Sequence, residues 1–344
     1  MREKKIFCII LCIACIAGLY NFAFSVVKVN IKEGVYVLPV AELASTKTYP
    51  QIIELENELI KVELLPNRGR VIASYELKSK DWRFFHTDFE PEPMVLPGGL
   101  HSVEFGGYYF SLPWNTRDRQ PFDLSFEVRQ SDTNISEVYM SGKDMFKKTL
   151  TECWIRVRSA SPVVELEVKV TNTSSKKLSE IDFKDYAVLS VDQVSNRGSS
   201  VLLPVDLVKI EHSKDNWLGT EGSTMKWTMN QSNWKNMEKF FHVHTAENLA
   251  VPCTGAFYPE ISSAFIKFWE PVSFFTKGEV WSWGKNYKTE EGADAYYVVS
   301  SITEKLTLQP KEYIAFTVYM TALEDVGEKD TLYDLYKRAI SYLQ

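Results

Sequence analysis

The sequence predicts an all-β protein, a large sandwich of antiparallel sheets that ends in one short helix. Three observations carry this reading. Apolar and polar residues alternate with period two in several stretches, which buries one face of a strand and wets the other. Helical spacing is clear only at the C-terminus. Between Glu54 and Leu323 no Pro/Gly/Ser-rich linker and no internal repeat breaks the chain, so the 344 residues read as one large domain behind a leader.

At the N-terminus, Arg2, Lys4 and Lys5 precede an apolar run from Ile6 to Val27, and Ala23-Phe24-Ser25 offers a small-x-small cleavage site. Residues 1–25 therefore read as a signal peptide. At about 20 residues the run is also long enough to cross a bilayer, so an uncleaved anchor stays open. Cys15 follows Ala14 in a crude lipoprotein-like context, although Cys12 stands where Leu is normally wanted. In each case the bulk of the chain is expected to be secreted or held in the cell envelope, touching membrane only through this segment. Residues 26–50 are an extension and residues 51–344 the sandwich domain.

Within that domain Ile60, Val62 and Leu64 alternate with Lys61 and Glu63, and Pro66-Asn67-Arg68-Gly69 turns the chain into a strand from Val71 to Leu77. Val164, Leu166, Val168 and Val170 alternate with Glu165, Glu167, Lys169 and Thr171. Ile314, Phe316, Val318 and Met320 repeat the pattern near the end. Half-wet strands of this kind favour antiparallel sheets packed face to face. The closing helix carries Leu332, Leu335, Tyr336, Ala339, Ile340 and Leu343 on one stripe, with Asp330 as the expected N-cap.

A formal charge of −6 leaves no basic stripe to neutralise phosphates, which argues against nucleic acid as a partner. Of the five cysteines only Cys153 and Cys253 lie beyond the leader; they are either one disulfide or two small buried hydrophobes. Asn134, Asn172 and Asn230 head glycosylation sequons that matter only in a host with that machinery. The chain holds 9 Trp, 17 Tyr and 20 Phe, more than a core requires, and many adjoin polar residues: Trp114-Asn115, Asn216-Trp217, Asn233-Trp234, Trp281-Ser282-Trp283-Gly284-Lys285. Sugar rings stack their C–H faces on aromatic rings and need amide, carboxylate or cationic partners for their hydroxyls, so the pairing suits a carbohydrate site. Trp and Tyr are also common in sandwich cores, which is the bland account of any one of them.

Four stretches, in order along the chain, carry a family resemblance. They are Glu56-Asn57-Glu58-Leu59-Ile60-Lys61-Val62-Glu63-Leu64-Leu65-Pro66-Asn67-Arg68-Gly69-Arg70-Val71, Gly106-Gly107-Tyr108-Tyr109-Phe110-Ser111-Leu112-Pro113-Trp114, Val170-Thr171-Asn172-Thr173-Ser174-Ser175-Lys176, and Trp281-Ser282-Trp283-Gly284 followed by Leu306-Thr307-Leu308-Gln309-Pro310-Lys311-Glu312. Together they resemble the galactose mutarotase-like (aldose 1-epimerase-like) superfamily. The resemblance implies a twisted β-supersandwich, a sugar cleft, and a Glu and His pair acting as base and acid across the sugar's O1 and O5. Arg70 matches the cleft arginine that contacts sugar hydroxyls. The catalytic His would fall near Lys184 or Asp185, a Glu seen in many relatives corresponds to Tyr109, and the late Glu corresponds to Val298 or Val299. The usual acid/base pair is therefore absent from its expected positions.

Other constellations of residues offer chemistry of their own. His242-Val243-His244 puts two imidazoles on one face of a strand, a geometry zinc can use, but no third ligand stands at readable spacing and no metal or other cofactor is expected. Asp88, Glu90, Glu92 and Glu104 surround a Pro-rich stretch, where paired carboxylates could cleave glycosides; solvated loop charges are the commoner explanation. His101 and Glu104 lie near Gly98-Gly99, and a glycine-rich loop can bring side chains close to a ligand. No phosphate-binding loop, dinucleotide fingerprint or nucleophile elbow is present.

The expectation is an exported protein that binds a mono- or oligosaccharide in a mutarotase-like cleft and lacks the usual epimerase pair. Arg70, Tyr109, Trp114, Asn115, His242 and Trp283 are the expected sugar contacts. The alternative is a sugar epimerase or a carbohydrate-cleaving enzyme using Asp185, Glu104 or His101.

Overall fold

The computed structural model describes residues 27–35, 48–66, 70–86, 94–96, 100–102, 106–111, 124–130, 134–144, 148–190, 199–227, 240–282 and 296–343. The expected signal peptide, Cys15 with its lipoprotein-like context, and the Pro66–Gly69 turn beyond Pro66 lie outside them. Of the described residues, no helix is long and apolar enough to cross a membrane.

In chain order the first strands are β1 (Lys28–Val35), β2 (Thr48–Glu56), β3 (Ile60–Leu65), β4 (Arg70–Leu77), β5 (Trp82–Arg83), β6 (Met94–Leu96), β7 (Leu100–Ser102) and β8 (Gly107–Phe110). Next come β9 (Ser125–Gln130), β10 (Ile135–Asp144), β11 (Thr149–Arg158), β12 (Val164–Asn172), β13 (Leu178–Ile181), β14 (Asp185–Ser190), β15 (Ser200–Leu202) and β16 (Leu207–Ser213). The last are β17 (Thr224–Lys226), β18 (Phe241–Thr245), β19 (Cys253–Tyr258), β20 (Ser263–Glu270), β21 (Lys277–Ser282), β22 (Tyr296–Ile302), β23 (Leu306–Leu308) and β24 (Tyr313–Leu323), followed by helix α1 (Leu332–Ser341).

A twelve-stranded sheet runs β1-β2-β3-β4-β8-β14-β22-β21-β18-β16-β17, with β5 paired to β4. An eight-stranded sheet runs β15-β19-β20-β24-β12-β11-β10-β9. Neighbouring strands pair antiparallel. The expected all-β architecture, large antiparallel sheets with one short C-terminal helix, is what the molecule has.

Alternation explains which residues meet between the sheets. Along β12 buried and half-buried residues strictly alternate, and Val164, Leu166, Val168 and Val170 all enter the main core. The larger sheet contributes Ile53, Val62, Tyr108, Leu189, Phe241, Val243 and Tyr297 to the same core. Strand β14 has no such contrast, since every residue from Asp185 to Ser190 is buried. Its odd residues Ala187 and Leu189 belong to the core, whereas Tyr186 and Val188 form a separate apolar cluster with Tyr109, Val298 and Trp281 on the opposite face. Successive side chains of a strand point to opposite faces, so this second cluster marks the outer face of the twelve-stranded sheet.

Helix α1 covers part of the smaller sheet's far side, burying Leu332, Leu335 and Ala339 against Cys253, Phe268 and Leu323. Thr331, not Asp330, is its N-cap: the Asp334 amide donates to the Thr331 hydroxyl in a reciprocal capping box. Asp330 instead accepts from the Gly327 amide one turn earlier. Leu343, expected on the apolar stripe, lies past the helix end and is exposed.

Cys153 and Cys253 are both free and buried, so the disulfide alternative falls away. Asn172 is fully buried and its amide donates to the carbonyls of Lys176, Leu308 and Gln309, which removes that sequon as a glycan acceptor. In the Gly106-Gly107 pair, Gly107 has φ +73°, and a Cβ there would sit 2.6 Å from the Ile72 carbonyl oxygen. The glycine thus lets β8 close against β4.

Candidate functional site

The outer face of the twelve-stranded sheet gathers the groups able to act on a ligand. Strand register sets them out in two adjacent rows. In the first, Tyr109 on β8 lies opposite Tyr186 on β14; on the following strands Ser300 lies opposite Glu279, Glu279 opposite His244, and His244 opposite Lys209. In the second, Val188 pairs with Val298, Val298 with Trp281, Trp281 with His242 and His242 with His212. The rings of Tyr109 and Tyr186 stack with centroids 4.8 Å apart and planes 13° from parallel.

At the polar end, the Glu279 carboxylate is buried and sits at the centre of three basic groups. Lys184, just before β14, brings its Nζ to 3.2 Å from Glu279 Oε2 and 3.5 Å from Oε1. His242 Nε2 lies 3.3 Å and His244 Nδ1 3.4 Å from the same Oε2. Burial pushes the Glu279 carboxyl up, but the His242 hydrogen bond and the charges of Lys184, His242 and His244 outweigh it and hold the group at about 2. Burial, with the neighbouring His242, pushes the His244 imidazole down. The donor atoms of His242, His244 and Glu279 all lie within 4.8 Å of one another, a set able to hold a metal ion.

The structure distributes the sequence-predicted residues unevenly. Tyr109 and His242 both lie on this face, on strands β8 and β18, four places apart in the sheet. Asp185 does not: it points into the core, fully buried, where Lys267 from β20 contacts both carboxylate oxygens at 2.6 and 2.7 Å. The Tyr108 hydroxyl and the Ser301 amide also donate to it, at 2.9 and 2.6 Å. Burial pushes the Lys267 ammonium down, with Asp185 opposing. Asp185 is thus the anion of an ion pair that ties the two sheets together, and the carboxylate expected to act in catalysis is fully buried away from the outer face. Arg70 heads β4 opposite Leu65, and His101 lies in β7 opposite Val95. The side chains of Arg70 and His101 lie outside the described residues, as do Glu104, Trp114, Asn115 and Trp283.

Sequence reasoning missed Glu279. It sought a late carboxylate in β22, where Val298 lies on the outer face and Val299 in the core. The carboxylate comes instead from the adjacent strand β21, opposite Ser300. Lys184, at one of the two positions matched to a catalytic histidine, turns out to be the group that contacts it. The third group beside His242 and His244, absent at readable spacing along the chain, is Glu279, brought there across the sheet.

No protein-family model matches the sequence, and no curated protein matches it. In structure the chain is similar to a TPR-domain-containing protein from Parabacteroides distasonis, with TM-score 0.63 at 14% identity over 88% of this chain and 54% of that one. It thus spans about half the length of that protein. A galactose mutarotase-like protein from Clostridium acetobutylicum gives TM-score 0.54 at 9% identity, covering 86% of this chain and 99% of the other. A protein from Klebsiella pneumoniae with a provisional assignment as an aldose 1-epimerase gives 0.55 at 12% identity, covering 87% and 84%. The chain has the galactose mutarotase-like fold, as the resemblance implied.

Proposed function

We propose that this chain is an exported carbohydrate-binding protein that holds a mono- or oligosaccharide on the outer face of its twelve-stranded sheet. One observation carries the reading: half-exposed Trp281, backed by the buried stacked pair Tyr109 and Tyr186, shares that face with Lys184, Glu279, His242 and His244. A partly exposed indole beside charged hydrogen-bonding groups suits a sugar's two kinds of surface. The fold shared with mutarotase-like proteins supports the same reading by analogy, since fold alone does not fix function. Export rests on the leader: basic residues, an apolar run and a small-x-small site.

A second reading, an enzyme acting on sugars, is favoured by the contact between Lys184 and Glu279 flanked by two imidazoles, which offers proton donors and acceptors though not the usual epimerase pair. The test is thermal denaturation against a panel of mono- and oligosaccharides at millimolar concentration, because a ligand of the native state raises the melting temperature by mass action. A shift with one sugar that is lost in Trp281→Ala is expected; no shift across the panel would overturn the proposal. Polarimetry with that sugar separates the readings. Exchange of anomers accelerated by substoichiometric protein, and abolished in Glu279→Gln, makes the chain an enzyme.

A further inference from the structure

We infer that His242, His244 and Glu279 form a binding site for one transition-metal dication of the zinc class. The inference does not depend on the sugar reading. The i, i+2 spacing on β18 sends both imidazoles to the outer face, while Phe241, Val243 and Thr245 are buried on the other. Glu279 stands directly opposite His244 on the neighbouring strand, and the two imidazole rings lie with centroids 4.4 Å apart.

The distances are compatible with a metal between these groups. Zinc–nitrogen and zinc–oxygen bonds of about 2.0–2.1 Å place two ligand atoms of a tetrahedral site about 3.3–3.4 Å apart. The two imidazole nitrogens lie 3.3 and 3.4 Å from one and the same oxygen, Glu279 Oε2. Charge-assisted hydrogen bonds between such groups close to about 2.7–2.9 Å.

The surroundings are those of a supported ligand set. Lys184 reaches both carboxylate oxygens and holds Glu279 in place. The opposite nitrogen of His244 lies 4.0 Å from Glu211 Oε1, beyond hydrogen-bond reach. Opposite Glu279, Ser300 is fully buried and its Oγ has no hydrogen-bond partner among the described residues. A hydroxyl so placed awaits a partner such as a metal-bound water. Two imidazoles and one carboxylate suit zinc, cobalt, nickel or copper, and not magnesium or calcium, which take mainly oxygen ligands. Three protein ligands leave a fourth position for water.

The test uses the full chain in detergent, stripped with chelator, its leader thiols Cys8, Cys12 and Cys15 alkylated. Zinc is titrated against a chromophoric chelator, and cobalt is followed by its visible absorption. One equivalent of zinc, and the intense cobalt bands of a four-coordinate site, are expected. His244→Ala and Glu279→Gln each weaken binding by at least about 100-fold, since loss of even an outer-sphere partner costs about 10–100-fold. His212→Ala, whose imidazole pairs with Glu221, leaves binding unchanged. Absence of binding, or zinc binding that survives both His244→Ala and Glu279→Gln in folded protein, would overturn the inference.

Discussion

Asp185 shows how much one side chain's direction decides. Its carboxylate is surrounded by Lys267, the Tyr108 hydroxyl and the Ser301 amide, so every charge and lone pair it brings into the core is answered. Removing one partner of such a pair leaves the other as an uncompensated buried charge, which costs about 3–5 kcal/mol. Asp185→Ala is therefore expected to lower the unfolding free energy by that amount in urea titration, and any loss of ligand binding in it would follow from unfolding. The double variant Asp185→Leu with Lys267→Met recovers most of the loss, because an apolar pair of similar volume restores packing without stranding a charge. Equal instability of the single and double variants would show the pair to be dispensable to the core's electrostatics. The sequence could not reveal this role. Alternation assigns a residue to a face only where one face is wet, and β14 is buried on both.

Among the elements, the edge strand β1 is attached through a charge cluster as well as its backbone ladder. Glu54 on β2 accepts from Lys32 on β1 at 2.5 Å and lies 2.8 Å from Lys61 on β3. Burial pushes the Glu54 carboxyl up, but the hydrogen bonds from Lys32 and Lys61 outweigh it and hold the group below its ordinary 4.5. A depressed carboxyl stabilises the fold fully above the unfolded-state value and loses that contribution as pH falls through the folded-state value. Amide exchange in β1 is thus expected to speed up relative to β10 as pH drops below about 4.5, and Glu54→Gln should already show the faster exchange at neutral pH. Identical pH profiles in the two proteins would refute the clamp. Strands such as β12 and β24 were legible because Val164 to Val170 and Phe316 to Met320 alternate with exposed or half-exposed neighbours. Glu279 was not, because its proximity to His244 is a matter of sheet register between β18 and β21, which spacing along the chain does not encode.

For the molecule as a whole, the fold buries two thiols that only unfolding can expose. Cys153 and Cys253 are buried on opposite faces of the eight-stranded sheet, one in the main core and one beneath α1, and burial pushes both thiols well above their ordinary range. A thiol reagent should leave both unmodified in the native protein and label them together at the rate of global unfolding. Faster labelling of Cys253 alone would mean that α1 detaches independently. The general architecture was readable from period and turn chemistry, and the order of the family-like stretches pointed to the same fold. The assembly of Lys184, Glu279, His242 and His244 required the sheet itself, since three separate segments supply it. Strand β14 carries a last consequence. It is a wall shared by two rooms: Asp185 braces the core while Lys184 and Tyr186 furnish the outer face. Inserting or deleting one residue there would turn each tenant to the wrong side at once. Any lineage that lengthened this strand by a single codon would lose the core brace and the outer-face cluster together, so the strand can vary by substitution far more readily than by length.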